Sequence, residues 1–267
     1  MITSTGIPLA VTDDLGELLA VRTPCGRDVR ISAGDAMAVP DVQVVLDPGH
    51  GGPQDSGAAA HDGLSEADLN LRLVETIGDQ LSRRGIAWMS TRTADYASPL
   101  AVRSQMADDV GAKLMLSVHH NAPASAPSSI PGTEVFVQSD RPESARLGAL
   151  VYDAATEGLK SFDVAWTRAH DAGVMAVVTP EGRDAYGILQ RPETPTALIE
   201  VGYLANPAEA HLFNTPGYLT TVGSAIADAL DTFLTSSDEA ASGLGPARVF
   251  APGHAAPTDS CQDPPLE

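Results

Sequence analysis

Apolar residues recur along the chain in two rhythms. Val42-Gln43-Val44-Val45-Leu46 is almost continuously β-branched or aliphatic and stops at Asp47-Pro48-Gly49-His50-Gly51-Gly52. A short apolar run bounded by turn residues predicts a buried strand. The rhythm then changes: Leu69, Leu73, Ile77 and Leu81 recur every four residues, the stripe of an amphipathic helix. Ser65 is placed as its N-cap, Asp68 as the acidic partner of a capping box, and Gly85 as its stop. A strand at Ile86–Ser90 completes a strand–helix–strand unit, which implies parallel pairing with a right-handed crossover.

The same alternation continues. Ser98-Pro99 opens a helix running to about Val110, and Leu114–His119 is an apolar strand. Glu134–Gln138 reads as a strand, Glu143–Lys160 as a helix, Ile188-Leu189 and Ala197–Val201 as strands, and Gly217–Leu234 as a closing helix. Residues 161–185 are mixed in character and read as a long, partly irregular insertion. The expected fold is a single α/β domain over 41–235, with a twisted, mostly parallel mixed sheet and helices on both faces. Residues 1–40 predict a small β-hairpin appendage, from Pro8–Val11 and Glu17–Arg22, with Val29–Ile31 offering another strand. Residues 236–267 are rich in Ser, Gly, Pro and Asp and predict a flexible, poorly packed tail.

Composition removes several function classes. The formal charge of −19 opposes binding to nucleic acid or an anionic membrane by bulk attraction, and Lys113 and Lys160 are the only lysines. No apolar run approaches a membrane span, and the first residues carry no charged head followed by a long apolar stretch. Cys25 and Cys261 stand near opposite ends and fit no paired-cysteine metal motif; a disulfide and two free thiols are both compatible with the sequence.

The candidate chemistry lies where the apolar runs are interrupted. His50 follows one strand, His119 ends another, Glu200 sits inside Ala197–Val201, and Glu66 opens the first helix. Loops past the carboxyl ends of strands are where open α/β sheets build sites. Two histidines and a carboxylate with one open position make the donor set of a catalytic zinc site. Its water reaches a pKa of roughly 7, and a second carboxylate is then placed to move the proton to a leaving amine. Each residue also has a plain structural reading. His50 suits a hydrogen-bonded loop, His119 a satisfied core histidine, and Glu66 a first-turn acid favoured by the helix dipole. Glu200 has the weakest such reading, because an unpaired carboxylate in an apolar strand is costly. Strand alternation separates His119 from His120, so His120 is expected behind the site. Asn121 is read as a turn cap in preference to a substrate contact. Arg92 and Arg103 are read as structural ion pairs, and His61, His170, His211 and His254 as surface residues.

In order along the chain, Asp47-Pro48-Gly49-His50-Gly51-Gly52, Glu66, Ser117-Val118-His119-His120-Asn121-Ala122 and Ile199-Glu200-Val201-Gly202-Tyr203-Leu204-Ala205-Asn206 resemble the zinc-dependent N-acetylmuramoyl-L-alanine amidases of the Amidase_3 type, over about residues 42–235. By matching position, the resemblance implies His50, Glu66 and His119 as zinc ligands and Glu200 as the catalytic carboxylate. It implies hydrolysis of the amide between N-acetylmuramic acid and L-alanine in peptidoglycan, by an exported, monomeric protein acting outside the cell or in its wall, with a regulatory protein as a further conceivable partner. The alternatives are a zinc carboxypeptidase or amidase with another substrate, and a non-catalytic peptidoglycan-binding or regulatory protein on the same fold. The sequence departs from the family where His120 replaces a small residue and where Asp108 stands near a usual Asn; residues 161–185 match no family pattern.

Overall fold

The structure is a computed structural model that describes residues 1–60, 63–122, 127–169, 171–250 and 261–266, apart from the Asp35 side chain. Three N-terminal strands, β1 (Ala10–Asp14), β2 (Leu18–Arg22) and β3 (Asp28–Ser32), precede the main sheet. The main body runs β4 (Val44–Pro48), α1 (Glu66–Arg83), β5 (Trp88–Ser90), α2 (Leu100–Asp109), β6 (Leu114–Asn121), β7 (Glu134–Val137), α3 (Pro142–Lys160), β8 (Gly173–Met175), β9 (Thr196–Tyr203), α4 (Pro207–Phe213) and α5 (Pro216–Thr235). Its six-stranded sheet has the order β8-β7-β9-β6-β4-β5. Only the β7–β9 pairing is antiparallel, so the sheet is mixed and mostly parallel, as the sequence implies.

Alternation sorts the strand residues between two cores. Val44, Leu46, Leu116, Val118, Val135 and Ile199 meet α1, α3 and α5 on one face, where the stripe Leu69, Leu73, Ile77 and Leu81 is completely buried. Val45, Met115, Phe136 and Leu198 meet Met106 and Ala107 of α2 on the other, together with Val177, Ile188 and Leu189. Helices thus cover both faces, but the second face is closed largely by irregular chain. That explains two departures from expectation. Residues 161–185 contain the edge strand β8, too short to be read against its surroundings. Ile188-Leu189 is a buried turn, with Leu189 N–H donating to Tyr186 O, instead of a strand.

The ends of the chain are tied to the main body. The strand offered by Val29–Ile31 forms as Asp28–Ser32 and pairs along the whole of β2, so the N-terminal hairpin extends to a three-stranded antiparallel meander. Its core of Leu9, Val21 and Ile31 takes in Tyr96 from the main body. The described tail is largely exposed but is anchored at several points. Asp153 of α3 accepts from Ala241 N–H, Ser242 N–H and the Ser242 hydroxyl, and Arg248–Val249 pairs with Val177–Val178. Cys261 is bonded to Cys25, Asp263 accepts from Cys25 N–H at 2.7 Å and pairs with Arg27, and Leu266 lies against the N-terminal core. The polar composition leaves little apolar surface to bury, and backbone pairing and side-chain anchors hold these points.

The disulfide closes a loop with a sequence separation of 236. Its loss should cost about 2–4 kcal/mol of unfolding free energy, chiefly by releasing the unfolded chain. Urea unfolding with and without reductant measures this, and a double Cys25→Ser/Cys261→Ser variant should be insensitive to reductant.

Candidate metal centre and active site

Strand register builds the site. β6 and β9 are parallel neighbours with His119 opposite Glu200, and β9 and β7 are antiparallel with Glu200 opposite Glu134. Three polar residues therefore form one cross-strand row. Two residues earlier along β6, Ser117 aligns with Asp47 and Leu198, and Leu198 with Phe136, on the same face. The site thus opens on the face that α2 covers only in part.

The turn after β4 is held by charge. Asp47 is buried, accepts from Thr91 and Ser117 hydroxyls at 2.5 and 2.6 Å, and pairs with Arg103 at 3.0 Å. Burial alone would raise its pKa, but the Arg103 charge and the two hydroxyls hold it below the ordinary value. Arg103 also donates to Pro48 O and His50 O, at 2.8 and 2.6 Å. Arg92 donates to Pro48 O, Gly49 O and Ala67 O, at 2.9, 3.0 and 2.7 Å. Arg103 is thus an ion-pair residue as expected, whereas Arg92 binds backbone carbonyls. Together they stabilise a turn in which His50 has φ 62°, a left-handed conformation that costs a non-glycine residue about 1–3 kcal/mol.

That turn brings His50 to Glu66 and His119. Glu66 Oε1 lies 3.1 Å from His50 Nε2 and 3.0 Å from His119 Nδ1. Candidate ligand atoms of these three residues all fall within 4.8 Å of one another, a group able to hold a metal ion. Two glycines make the approach possible. A Cβ at Gly49 would lie 2.1 Å from the His119 ring, and one at Gly57 would lie 2.5 Å from Glu66 Oε2. Ser65 caps α1 as expected, its hydroxyl accepting from Asp68 N–H. Ala58 N–H donates to Glu66 Oε2 at 2.8 Å, and His120 N–H to Oε1 at 3.3 Å. Burial would raise the Glu66 carboxyl, but hydrogen bonds and charge from the two imidazoles drive it far below the ordinary range. Burial would likewise lower His50, yet Asp55 and Glu66 push it up to about 10. Asp55, which the sequence reading did not single out, sits 2.6 Å from His50 Nδ1 and leaves Nε2 for the cluster.

Glu200 stands beside this cluster. Its Oε2 is buried without a hydrogen-bond partner among the described residues. Burial first, then the negative charges of Glu66 and Glu134, raise its pKa well above the ordinary value. Asn121 donates to Glu134 Oε2 at 2.8 Å and accepts from Ala122 N–H, so it anchors the strand end and caps the turn. His120 points to the opposite face, fully buried, with Nδ1 2.8 Å from Asn70 Oδ1 and Nε2 2.5 Å from the Tyr218 hydroxyl. Asn70 Nδ2 in turn donates to Gly49 O and Glu66 Oε1, at 3.3 and 3.4 Å. His120 therefore braces the cluster from behind, and burial lowers its pKa to about 3. Asp108 caps the approach to β9 by accepting from Glu193 and Thr194 N–H groups. His211 is exposed, while His61, His170 and His254 lie outside the described residues.

A cavity of ≈ 430 Å³ opens over the cluster, lined by His50, His119, Arg103, Tyr186, Ile188 and Leu198 among others. Tyr186 and Glu134 escaped the sequence reading; only the fold brings them to the row. The arrangement can hold a cation between imidazole and carboxylate donors and place a second, proton-avid carboxylate next to it.

Residues 44–232 match the Amidase_3 family, described as N-acetylmuramoyl-L-alanine amidase. The chain belongs to this family. The germination-specific N-acetylmuramoyl-L-alanine amidase of Bacillus subtilis (strain 168) is 29% identical over 210 residues, covering 73% of this chain and 81% of its own length. Among solved structures, an N-acetylmuramoyl-L-alanine amidase from Clostridium difficile 630 superposes with a TM-score of 0.62 at 24% identity, covering 75% of this chain and all of the other. The CwlD amidase from Clostridioides difficile, solved in complex with the GerS lipoprotein, gives 0.59 at 25% identity, covering 73% and 99%. The family match spans all four motif residues, His50, Glu66, His119 and Glu200, and gives the enzyme class: an amidase acting on peptidoglycan.

Two expectations follow from the geometry. Arg103→Met should cost about 3–5 kcal/mol, because it leaves the Asp47 carboxylate buried without its cation; denaturant unfolding reads this directly. For His120, the unfolded chain binds the proton at a higher pH than the folded one. The stability owed to neutral His120 is therefore complete above about pH 6.5 and declines as pH falls toward about 3. Zinc-free wild type and His120→Gln, unfolded in urea between pH 7 and 4, should converge in slope only after this contribution is removed: the wild type should show the steeper acid loss.

Proposed function

We propose that the chain is a zinc-dependent N-acetylmuramoyl-L-alanine amidase that hydrolyses the amide between the lactyl group of N-acetylmuramic acid and L-alanine, outside the cytoplasmic membrane. The observation that carries this reading is the His50–Glu66–His119 cluster with Glu200 aligned beside it, in a chain of the amidase family. The donor set fits zinc: two imidazoles and one carboxylate converge without a thiolate, and Asp55 orients one imidazole from outside. His50 through Nε2, His119 through Nδ1 and Glu66 through a carboxylate oxygen would hold the ion. When bound there, zinc supplies Lewis acidity that polarises the carbonyl and brings the pKa of water to roughly 7.

The chain's own groups do the rest. Glu200, desolvated and flanked by two other carboxylates, has a high proton affinity. It takes a proton from the attacking water and delivers it to the alanine nitrogen as the C–N bond breaks. The adjoining cavity, walled by Tyr186, Ile188 and Leu198, limits water around the scissile bond. No helix among the described residues is long and apolar enough to cross a membrane, so contact with the wall does not come from a membrane-spanning helix there. The exported location is supported by the family's substrate.

Digestion of purified peptidoglycan, with mass spectrometry of the new ends, tests the reaction. Free L-alanine amino termini are expected; release of C-terminal residues alone would assign a carboxypeptidase, and no cleavage would assign a binding protein. The two glutamates should fail differently. Glu66→Ala should lose zinc and activity together. Glu200→Ala should keep zinc, measured by elemental analysis, while turnover falls by roughly 10²–10⁴.

A further inference from the structure

Tyr186 lines the cavity with a hydroxyl to which the reaction above gives no part. It lies on the irregular segment that closes the second face of the sheet, and it shares the cavity with His50 and His119. Its ring is fixed in place. It stacks on Phe136 with centroids 4.7 Å apart and planes at 28°. On either side, Ala185 N–H donates to Val177 O at 2.7 Å and Leu189 N–H to Tyr186 O at 3.0 Å. Its neighbour Gly187 packs so closely on α2 that a Cβ there would lie 2.9 Å from Leu100 Cδ1. The backbone carrying the ring is thus held in place, and the stacking on Phe136 sets the plane of the ring.

The hydroxyl at the end of this fixed ring makes no hydrogen bond to the protein among the described residues. Burial, and then the charges of Glu200 and Glu134, push its pKa up to about 12, so it remains a proton-bearing donor at any working pH. The strongest other donor in the cavity is already engaged: Arg103 directs its N–H groups to Asp47, Pro48, His50 and Ser98. Attack of water on the lactyl carbonyl turns its oxygen into an oxyanion, while the proton of the water passes to Glu200 and then to the departing nitrogen. A preorganised neutral donor beside the carbonyl is what lowers that barrier most.

We infer that the Tyr186 hydroxyl is the hydrogen-bond donor to this oxyanion, making Tyr186 a further catalytic residue. The inference rests on the amidase reading of the same site. Tyr186 donates a hydrogen bond and transfers no proton, so it adds nothing to the balance of the reaction.

Tyr186→Phe tests it, since the stacked ring and the wall are kept and only the hydroxyl goes. Zinc content, melting temperature, kcat and KM on a soluble muropeptide, and affinity for a phosphinate analogue of the lactyl–alanine linkage are measured beside the wild type. The expected result is a kcat lower by roughly 10²-fold, a parallel loss of phosphinate affinity, and unchanged KM, zinc content and melting temperature. An unchanged kcat overturns the assignment. So does a rise in KM alone, which would make Tyr186 a ground-state contact, or a loss of zinc, which would make it a brace of the cluster. A wild type that holds zinc but leaves the muropeptide intact refutes the amidase reading itself, a different outcome from an active wild type matched by its Tyr186→Phe variant.

Discussion

Two guanidinium groups hold the turn on which the site depends. A chain leaving a buried strand through Pro48 and Gly49 exposes carbonyls with no strand partner, and His50 adds an unfavourable backbone angle. Arg92 and Arg103 supply donors to Pro48, Gly49 and His50 from two directions. Buried guanidinium groups need acceptors as much as the carbonyls need donors. The strained turn and the buried cations therefore stabilise each other, and Asp47 balances the charge from below. Removing any member leaves the others unsatisfied, which couples the position of His50 to the interior of the sheet.

The sheet register then decides the division of labour. One face of β6 and β9 carries His119 and Glu200; the next residues along, His120 and Val201, turn to the helical core. Chemistry and packing thus sit one residue apart on the same strands. His120 shows how the two communicate: a chain of hydrogen bonds from Tyr218 through His120 and Asn70 ends on Glu66 and on the carbonyl of Gly49. A fully buried polar side chain on the packing face is thereby tied to the geometry of the reacting face.

Much of this was legible in the sequence because it depends on local pattern. The apolar run ending at Asp47, the four-residue stripe of α1 and the acid inside β9 each announce an element and an exception to it. Alternation alone separates His119 from His120. Other parts were not legible because they depend on tertiary contact. Glu134 joins the row only through the β7–β9 register, and Tyr186 only through a turn packed on Phe136. Asp55 was within reach of the reading: an acid five residues beyond His50 in the same glycine-rich loop. The anchors of the tail were not legible, because composition measures how much apolar surface a segment offers, whereas its described parts are held by Asp153, by backbone pairing and by a cross-link.

The bond between Cys25 and Cys261 also changes the connectivity of the molecule. The chain from Cys25 to Cys261, which includes β3 and the whole main body but not β1 and β2, lies inside one covalent ring. A single cut by a protease anywhere in that ring, including the loops around the cavity, opens the ring without releasing a fragment. The candidate site residues His50, Glu66, His119 and Glu200 all lie within it, so they stay on one covalent body after such a nick. Detaching any part of that body by proteolysis takes two cuts.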